Sequence, residues 1–170
     1  FMDKGYAKTS MQDLKAATGL HPGSIYCAFE NKRGLLLAAL GQYRADRATE
    51  FEYFFAGQGT VLIALKKYLD HIVQECLSCE AAQACLLTKA LNELAEQDDE
   101  VQGILIENLA DWQSSVAEVF RQAITGKRSA EKLSRFFIMG IYGLRTYAQT
   151  HPEAEIMHEL AEQLFSDLCQ

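Results

Sequence analysis

The residues best placed to make specific contacts lie together near the start of the chain, in a turn that contains His21, Pro22, Gly23 and Ser24. Proline is tolerated in the first turn of a helix, and glycine and serine keep the beginning of that helix narrow. A helix with a small N-terminal end can enter the major groove of duplex DNA and reach the base edges. We therefore predict that these four residues contact bases.

Hydrogen-bond donors lie on both sides of this turn. Lys8, Thr9 and Ser10 precede one predicted helix, and Lys32 begins another. Helix N-termini carry partial positive charge and unpaired N–H groups, which suit phosphate oxygens. Tyr26, in the helix after the turn, either packs in a small core or contacts a phosphate or a thymine methyl group. These five residues complete the predicted DNA-binding set.

The charge of the chain is divided unevenly along its length. The 170 residues carry a net charge of −7, yet residues 1–50 hold seven Lys or Arg against five Asp or Glu. The rest of the chain is therefore strongly acidic. A mildly basic segment on an acidic chain indicates that only the first segment meets a polyanion such as DNA.

Capping and helix-breaking residues predict the short helices that position these side chains. Thr9 and Ser10 are N-cap types, and Gln12, three residues after Thr9, completes the pattern of a capping box. Gly19 suits a left-handed C-cap at the end of that helix. The predicted helices are Met11–Ala17, Pro22 to about Phe29, and a longer one, capped by Asn31, to about Phe54. The residues expected in a small core are Leu20, Ile25 and Phe29.

The rest of the chain also has a helical pattern. Only two prolines occur, Ala, Leu, Glu and Gln are abundant, and no sustained period-2 alternation indicates a strand, so the predicted fold class is all-α. Two glycines in residues 56–60 mark a break between segments. Apolar residues at helical spacing then predict a helix around Leu62 to Cys76. Further helices are expected over residues 83–97, 99–124, 129–150 and 152–168.

The sequence also predicts a cellular location and a division into domains. The longest apolar run, residues 136–144, is far shorter than the ~20 residues that span a bilayer, and no leader pattern occurs, so we expect a soluble, cytoplasmic protein. Because the chain begins with phenylalanine, we expect upstream residues to be missing from it. We expect a DNA-binding domain over residues 1–46, the head, and a second domain over residues 47–170, the body.

The segment from Gly5 to Leu40, GYAKTSMQDLKAATGLHPGSIYCAFENKRGLLLAAL, closely resembles the DNA-binding region of TetR-family transcriptional regulators. The shared features are a Gly-Tyr exit from helix one, Thr-Ser opening helix two, a glycine-containing turn leading to Ser-Ile-Tyr, and Phe-x-x-Lys into helix four. The resemblance covers about a fifth of the chain. It implies a helix-turn-helix, phosphate contacts from Thr9, Tyr26 and Lys32, and groove contacts from residues 21–24.

For the body, the resemblance implies an architecture in which helices four to seven enclose an effector pocket and the last two helices pair with a second subunit. The last two predicted helices have broad apolar faces, which independently favours a homodimer. The residues expected at the dimer interface are Phe136, Gly140, Gly143, Leu144, Tyr147, Ile156, Leu160 and Leu164. The pocket candidates, chosen as aromatic or polarizable residues, are Tyr53, Phe54, Tyr68, His71, Cys85, Trp112, Phe120 and Tyr142.

The cysteines raise an alternative to a bound effector. Five cysteines without regular spacing are expected to be free thiols. Cys76 and Cys79 have the spacing of a redox pair, and Cys85 follows, so a thiol-based sensor of oxidants or electrophiles with the same fold is the first alternative. No second ligand pair follows them, so no metal is expected, and no cofactor either.

The motifs in the sequence do not indicate an enzyme. Glu-x-x-His occurs once, and neither a glycine-rich phosphate loop nor HExxH is present, so we expect no enzyme. A helical enzyme or carrier with a vestigial head is the less favoured alternative. The resemblance instead implies a ligand-responsive regulator, in most cases a repressor. Its expected partners are an operator in double-stranded DNA, a second copy of the chain and an unidentified small molecule, with no membrane.

Overall fold

The computed structural model describes residues 1–57, 59–78, 86–94, 98–123 and 129–169. Within these ranges the chain is helical and contains no strand, which confirms the all-α prediction. None of the described helices is long and apolar enough to cross a bilayer. The α-helices are α1 (Gly5–Lys8), α2 (Met11–Thr18), α3 (Pro22–Phe29), α4 (Lys32–Phe55), α5 (Val61–Leu77), α6 (Leu86–Leu94), α7 (Asp99–Ala123), α8 (Ala130–Tyr147) and α9 (Ala154–Cys169), and a 3-10 helix covers Ala148–Thr150.

Helix α2 is closed at both ends by local hydrogen bonds. The Ser10 hydroxyl oxygen accepts from the Asp13 N–H at 3.1 Å, and the Asp13 carboxylate accepts from the Ser10 N–H at 2.8 Å. The predicted pairing of Thr9 with Gln12 is wrong, because the Thr9 hydroxyl donates to a carbonyl of the preceding turn. Gly19 ends the helix with a φ of 70°, as its type predicts.

The start of α3 and the joint between α3 and α4 are tight. His21 is the N-cap of α3, and Pro22 is its first residue. Asn31 caps α4, since its side-chain oxygen accepts from the Gly34 N–H at 2.9 Å. A Cβ at Gly34 would lie 2.0 Å from the Phe29 carbonyl oxygen, so only glycine lets α4 approach the end of α3 this closely.

The core of the helix-turn-helix is smaller than expected. Ile25 is fully buried and Phe29 is half-buried, in agreement with the prediction. Leu20 is 43% exposed, so its assignment to the core is wrong. Leu20 lies in the turn between α2 and α3, outside the buried face of either helix.

The first helix differs from the expected one and is held by α6. Gly5, expected near the end of a helix, instead begins the four-residue α1. The Glu93 carboxylate accepts from the Ala7 N–H at 3.0 Å, and the Lys89 ammonium donates to the Asp3 carbonyl at 3.1 Å. An anion at a helix N-terminus is stabilising, so Glu93 supports the start of α1 at this position.

Two clusters of buried side chains hold the helices together. The larger one lies in the body and involves α5, α7, α8, α9 and the end of α4. Helix α4 contributes to both clusters, and the expected boundary between residues 46 and 47 lies inside it. The smaller cluster, here called the head–body cluster, consists of Leu36, Leu40, Leu86, Leu87, Ala90, Leu94, Val101 and Leu105.

Candidate nucleic-acid interface and body cavity

The beginning of α3 is exposed. His21, Gly23 and Ser24 are exposed and Pro22 is half-buried. The His21 Nδ1 accepts a hydrogen bond from the Gly23 N–H at 3.2 Å. Because Nδ1 is the acceptor, the neutral ring carries its proton on Nε2, which is then a donor. Such a donor suits the acceptor atoms that purines present in the major groove.

The predicted phosphate-contact residues occupy different environments. Lys8 and Ser10 are exposed, and Tyr26 is 49% exposed. Lys32 is half-buried, with its ammonium 4.3 Å from the centre of an aromatic ring of α1. Thr9 is buried, and its hydroxyl donates to a backbone carbonyl at 2.5 Å. All DNA contacts stay predictions, and one from the Thr9 side chain requires a local rearrangement.

An ion-pair cluster fastens the start of α4 to the start of α7. The Arg33 guanidinium donates to the two carboxylate oxygens of Asp98, at 2.5 and 2.8 Å, and to the Glu100 carboxylate at 2.6 Å. The hydrogen bond from Arg33 holds the pKa of the Asp98 carboxyl well below its usual range. Asp98 also accepts from the Val101 N–H at 3.1 Å and so helps to cap α7. The head is thereby tied to α7.

The body contains a cavity between α4, α7 and α8. Water-sized molecules can occupy about 160 Å³ of it. Aromatic rings form much of its wall, and Trp112 packs edge-on against Tyr142 with ring centres 5.8 Å apart. The lining residues are Tyr43, Arg44, Arg47, Ala48, Phe51, Glu52, Tyr68, Leu87, Asn108, Asp111, Trp112, Ser115, Ile141, Tyr142 and Arg145.

The structure brings some of the predicted pocket residues together and separates others. Tyr68, Trp112 and Tyr142 line the cavity. Tyr53 is 80% exposed on the surface, and Phe120 is buried in the larger core. The cavity wall also lacks Phe54 and His71, and Cys85 lies outside the described residues. Binding of a ligand by any of these residues stays a prediction.

At one side of the cavity, charged side chains of α4, α5 and α8 form a network centred on Glu75, in which Arg47 and Arg145 belong to the cavity wall. The Glu75 carboxylate accepts from Arg47 at 2.9 Å and from Arg145 at 2.6 Å. Burial alone would raise the pKa of Glu75, but Arg145 and Arg47 outweigh it and hold the pKa below its usual value. His71 Nε2 lies 2.8 Å from the Glu50 carboxylate. Ion pairs thus connect α4, α5 and α8.

The same network contains the atoms most suited to hold a metal ion. Ligand atoms of Glu50, His71 and Glu75 lie within 4.8 Å of one another. However, Arg47 pairs with both carboxylates, at 2.8 and 2.9 Å. A metal ion would have to displace these pairs, so the arrangement favours a structural network over a metal site.

Several polar residues of the cavity wall were not among the predicted pocket residues. On α7, Asn108 lies four residues before Trp112, Ser115 lies three residues after it, and Asp111 lies three residues after Asn108. Arg145 lies three residues after Tyr142 on α8. Residues at these spacings share one helix face. The signal was therefore present, and extending each aromatic candidate along its own helix face would have found these residues.

The described cysteines give little support to thiol sensing. Cys27 and Cys169 are exposed, and Cys76 is half-buried. Burial raises the pKa of the Cys76 thiol, and Arg145 opposes this only in part. A raised pKa lowers the fraction of thiolate, which is the reactive form. Cys79 and Cys85 lie outside the described residues, so the thiol-based alternative stays a prediction.

The predicted dimer residues divide into exposed and buried sets. Tyr147, Ile156 and Leu160 are between 37% and 44% exposed, Gly143 is exposed, and Phe136 and Gly140 are intermediate. Leu144 and Leu164 belong to the core of the same chain, and Leu164 packs where a Gly140 side chain would lie. Met139, 60% exposed, adds to the apolar surface, although it was not predicted. The exposed apolar surface of α8 and α9 consists of Met139, Gly143, Tyr147, Ile156 and Leu160.

Several transcriptional regulators are similar to this chain in sequence or in fold. The transcriptional regulator AcuR of Cereibacter sphaeroides is 23% identical over 159 residues, which cover 89% of this chain and 73% of AcuR. The HTH-type transcriptional repressor ComR of Escherichia coli is 29% identical over 106 residues, 62% of this chain and 50% of ComR. A cysteine mutant of the TetR family transcriptional regulator CifR, complexed with 26-bp operator DNA, has a TM-score of 0.83 at 22% identity, covering 97% and 91% of the two chains.

Family models match most of the chain. Residues 1–39 include α1, α2, α3 and the beginning of α4. They match the family model described as "Bacterial regulatory proteins, tetR family". Residues 62–163 match the model of the transcriptional regulator LmrA/YxaF-like C-terminal domain, which runs from α5 into α9. The resemblance stated for the head is therefore confirmed, and the chain belongs to the TetR family of transcriptional regulators.

Proposed function

We propose that this protein is a homodimeric repressor that binds operator DNA through its head and releases it when a small molecule binds in the body cavity. The observation that carries the proposal is the exposed N-terminal end of α3, where His21, Gly23 and Ser24 are free of the core. The protein would act in the cytoplasm, where bacterial DNA lies, and would catalyse no reaction.

In this proposal, one group of residues contacts bases and another contacts phosphates. Residues His21 to Ser24 read base edges, because they stand at the narrow end of α3. Lys32 and Ser10 contact phosphates, because each lies at the N-terminal end of a helix. Contacts of the first kind set sequence preference, and contacts of the second kind supply affinity for any DNA.

Helix α4 is the element that would couple the cavity to the DNA. At its start are Lys32 and Arg33, and Arg33 forms an ion pair at the start of α7. Leu36 and Leu40 pack in the head–body cluster, and later turns of α4 line the cavity. A ligand that shifts α4 relative to α7 therefore moves the head. To matter, the ligand must prefer the shifted state by at least ~1 to 3 kcal/mol.

The exposed apolar surface of α8 and α9 supports the dimer. Met139, Gly143 and Tyr147 follow one another at four-residue spacing along α8, and Ile156 and Leu160 do so along α9. A two-fold axis would bring this surface against the same surface of a second copy, and two heads could then reach two half-sites. AcuR and ComR are themselves described as a transcriptional regulator and a repressor.

The experiment is a fluorescence anisotropy titration with the full-length protein and a duplex from the region upstream of its own gene. Lys32→Ala should weaken binding to specific and random DNA alike and reduce the salt slope by about one per contact. His21→Asn keeps an N-cap type, so it should change the preferred base with little change in the salt slope. Lys132→Ala, an exposed lysine of the body, serves as the charge control.

Two outcomes would contradict these separate roles of His21 and Lys32. The first is an equal loss of specific and random binding from His21→Asn and from Lys32→Ala. The second is an effect of Lys132→Ala as large as that of Lys32→Ala, which would mean that net charge alone governs the binding.

A further inference from the structure

From the wall of the cavity we infer that its ligand is a small, mainly apolar molecule that carries a hydrogen-bond acceptor oxygen, either a carboxylate or a neutral carbonyl, which Asn108 binds. The inference rests on the proposed function, because it names the chemical class of the effector. It starts from two donor atoms of the cavity wall that have no partner among the described residues.

Asn108 is a buried amide without a complete set of hydrogen bonds. Its side chain is part of the cavity wall on α7, and the residue is 5% exposed. Its Nδ2 has no hydrogen-bond partner within the part of the chain that the structure describes. A buried donor without a partner is costly, so a structure that retains one favours a ligand that supplies the acceptor.

A second buried donor lies in the same wall. The Nε of Arg47 is buried and makes no hydrogen bond among the described residues, although the outer nitrogen of that guanidinium pairs with Glu75. A guanidinium Nε–H can only donate. Two buried donors around one cavity call for an acceptor in the ligand and disfavour an ammonium group, which is itself only a donor.

The remainder of the wall defines the body of the ligand. Phe51, Tyr68, Trp112 and Ile141 present apolar surface to the cavity. Aromatic walls favour flat, apolar ligands, which they cover on both faces. The combination predicts a ring or short hydrocarbon group bearing one or two acceptor oxygens.

Arg44, Arg47, Asp111 and Arg145, four of the five charged side chains of the wall, form ion pairs. Arg44 pairs with Asp111 across α4 and α7, and Arg145 pairs with Glu75 at 2.6 Å. Three arginines and two carboxylates, Glu52 and Asp111, line the wall, so its charge does not favour a cation. A net negative charge on the ligand is also unnecessary, because neutral carbonyl oxygens accept the same hydrogen bonds.

The test compares three benzene derivatives of matched size as probes: benzoate, methyl benzoate and benzylamine. The melting temperature of the full-length protein is measured with each probe at ~10 mM. Benzoate, methyl benzoate or both should raise Tm by about 3 °C, as a ligand near ten times its Kd does, and benzylamine should not. A rise in Tm with benzoate alone indicates a carboxylate effector. A rise in Tm with both benzoate and methyl benzoate indicates that a neutral carbonyl oxygen is sufficient.

Variants of Asn108 connect the response to this residue. Asn108→Leu removes the donor that lacks a partner, so the free variant should melt no lower than the wild type while losing the response to the probes. Asn108→Asp, matched in shape, turns the donor into an acceptor and should also lose the response to benzoate. Asn92→Leu, an exposed asparagine of α6, should respond as the wild type does.

Several results would overturn the inference. They are a rise with benzylamine equal to that with the acceptor probes, no rise with either acceptor probe, or an undiminished response in Asn108→Leu. The last result would mean that solvent alone satisfies the amide. Wild-type DNA affinity is measured separately, so DNA binding without any probe response refutes this inference, whereas probe binding without DNA binding refutes the proposed function.

Discussion

Glu75 offers a sharp test of the charge network at one side of the cavity. Replacing Glu75 with glutamine keeps the shape of the side chain but removes the charge that holds Arg47 and Arg145. Removing one member of a buried ion pair costs about 3 to 5 kcal/mol, and removing one of an exposed pair costs below about 1. The Glu75 side chain is 27% exposed, so we expect an intermediate loss of about 2 kcal/mol.

The predicted loss has a defined pH dependence. The two arginines hold the pKa of Glu75 below its usual value, so its contribution is fully present above the pKa of an unfolded glutamate, about 4.3, and is lost as the pH falls through the folded-state pKa. The wild type should therefore melt about 6 °C above Glu75→Gln at neutral pH. The difference should shrink as the pH is lowered below about 4.

Thermal unfolding followed by circular dichroism measures both effects. The control is Glu162→Gln, since Glu162 pairs with Lys66 on the surface and its side chain is 57% exposed. That variant should change Tm by no more than about 2 °C. The reasoning is refuted if Glu75→Gln melts with the wild type at neutral pH, or if their difference persists unchanged in acid.

Two further predictions concern the head and the dimer. Ser10→Ala removes the N-cap of α2 and should lower the free energy of unfolding by about 1 kcal/mol, whereas Ser114→Ala, in the middle of α7, should not; equal melting of Ser10→Ala and the wild type would contradict the capping box. Leu160→Glu places a charge on the exposed apolar surface of α8 and α9, so analytical ultracentrifugation should show a monomer with unchanged helicity. Ile106→Glu, on an exposed part of α7, should leave the dimer intact, and a dimeric Leu160→Glu would contradict the proposed interface.

The fold of the head was predictable because its signals are local. Gly19 requires a left-handed backbone, Pro22 fits the first turn of a helix and Asn31 caps the next one, so the helix boundaries follow from residue types alone. The errors were local as well. Ser10 and Thr9 are adjacent residues with the same capping chemistry, and which of them caps α2 depends on the conformation of the preceding turn.

The polar wall of the cavity was not predictable in the same way. Arg44 pairs with Asp111, and Arg145 with Glu75, across 67 and 70 residues of sequence. Such pairs exist only after α4, α5, α7 and α8 have packed, and helical periodicity gives a residue's face but not its partner. Trp112 could be selected because an aromatic residue among polar ones stands out. Helix periodicity places Asn108 on the same face, but it does not show that the Asn108 amide nitrogen lacks a hydrogen-bond partner among the described residues.

The central claim is that the exposed end of α3 recognises a particular DNA sequence. The most direct measurement is the affinity of the full-length wild-type protein for a duplex from upstream of its own gene, compared with a shuffled duplex of the same length and composition at the same salt concentration. The account predicts binding to the upstream duplex that is about a thousandfold tighter or more, the range of specific protein–DNA complexes. Equal affinity for the two duplexes, or no binding to either at low salt, would contradict it.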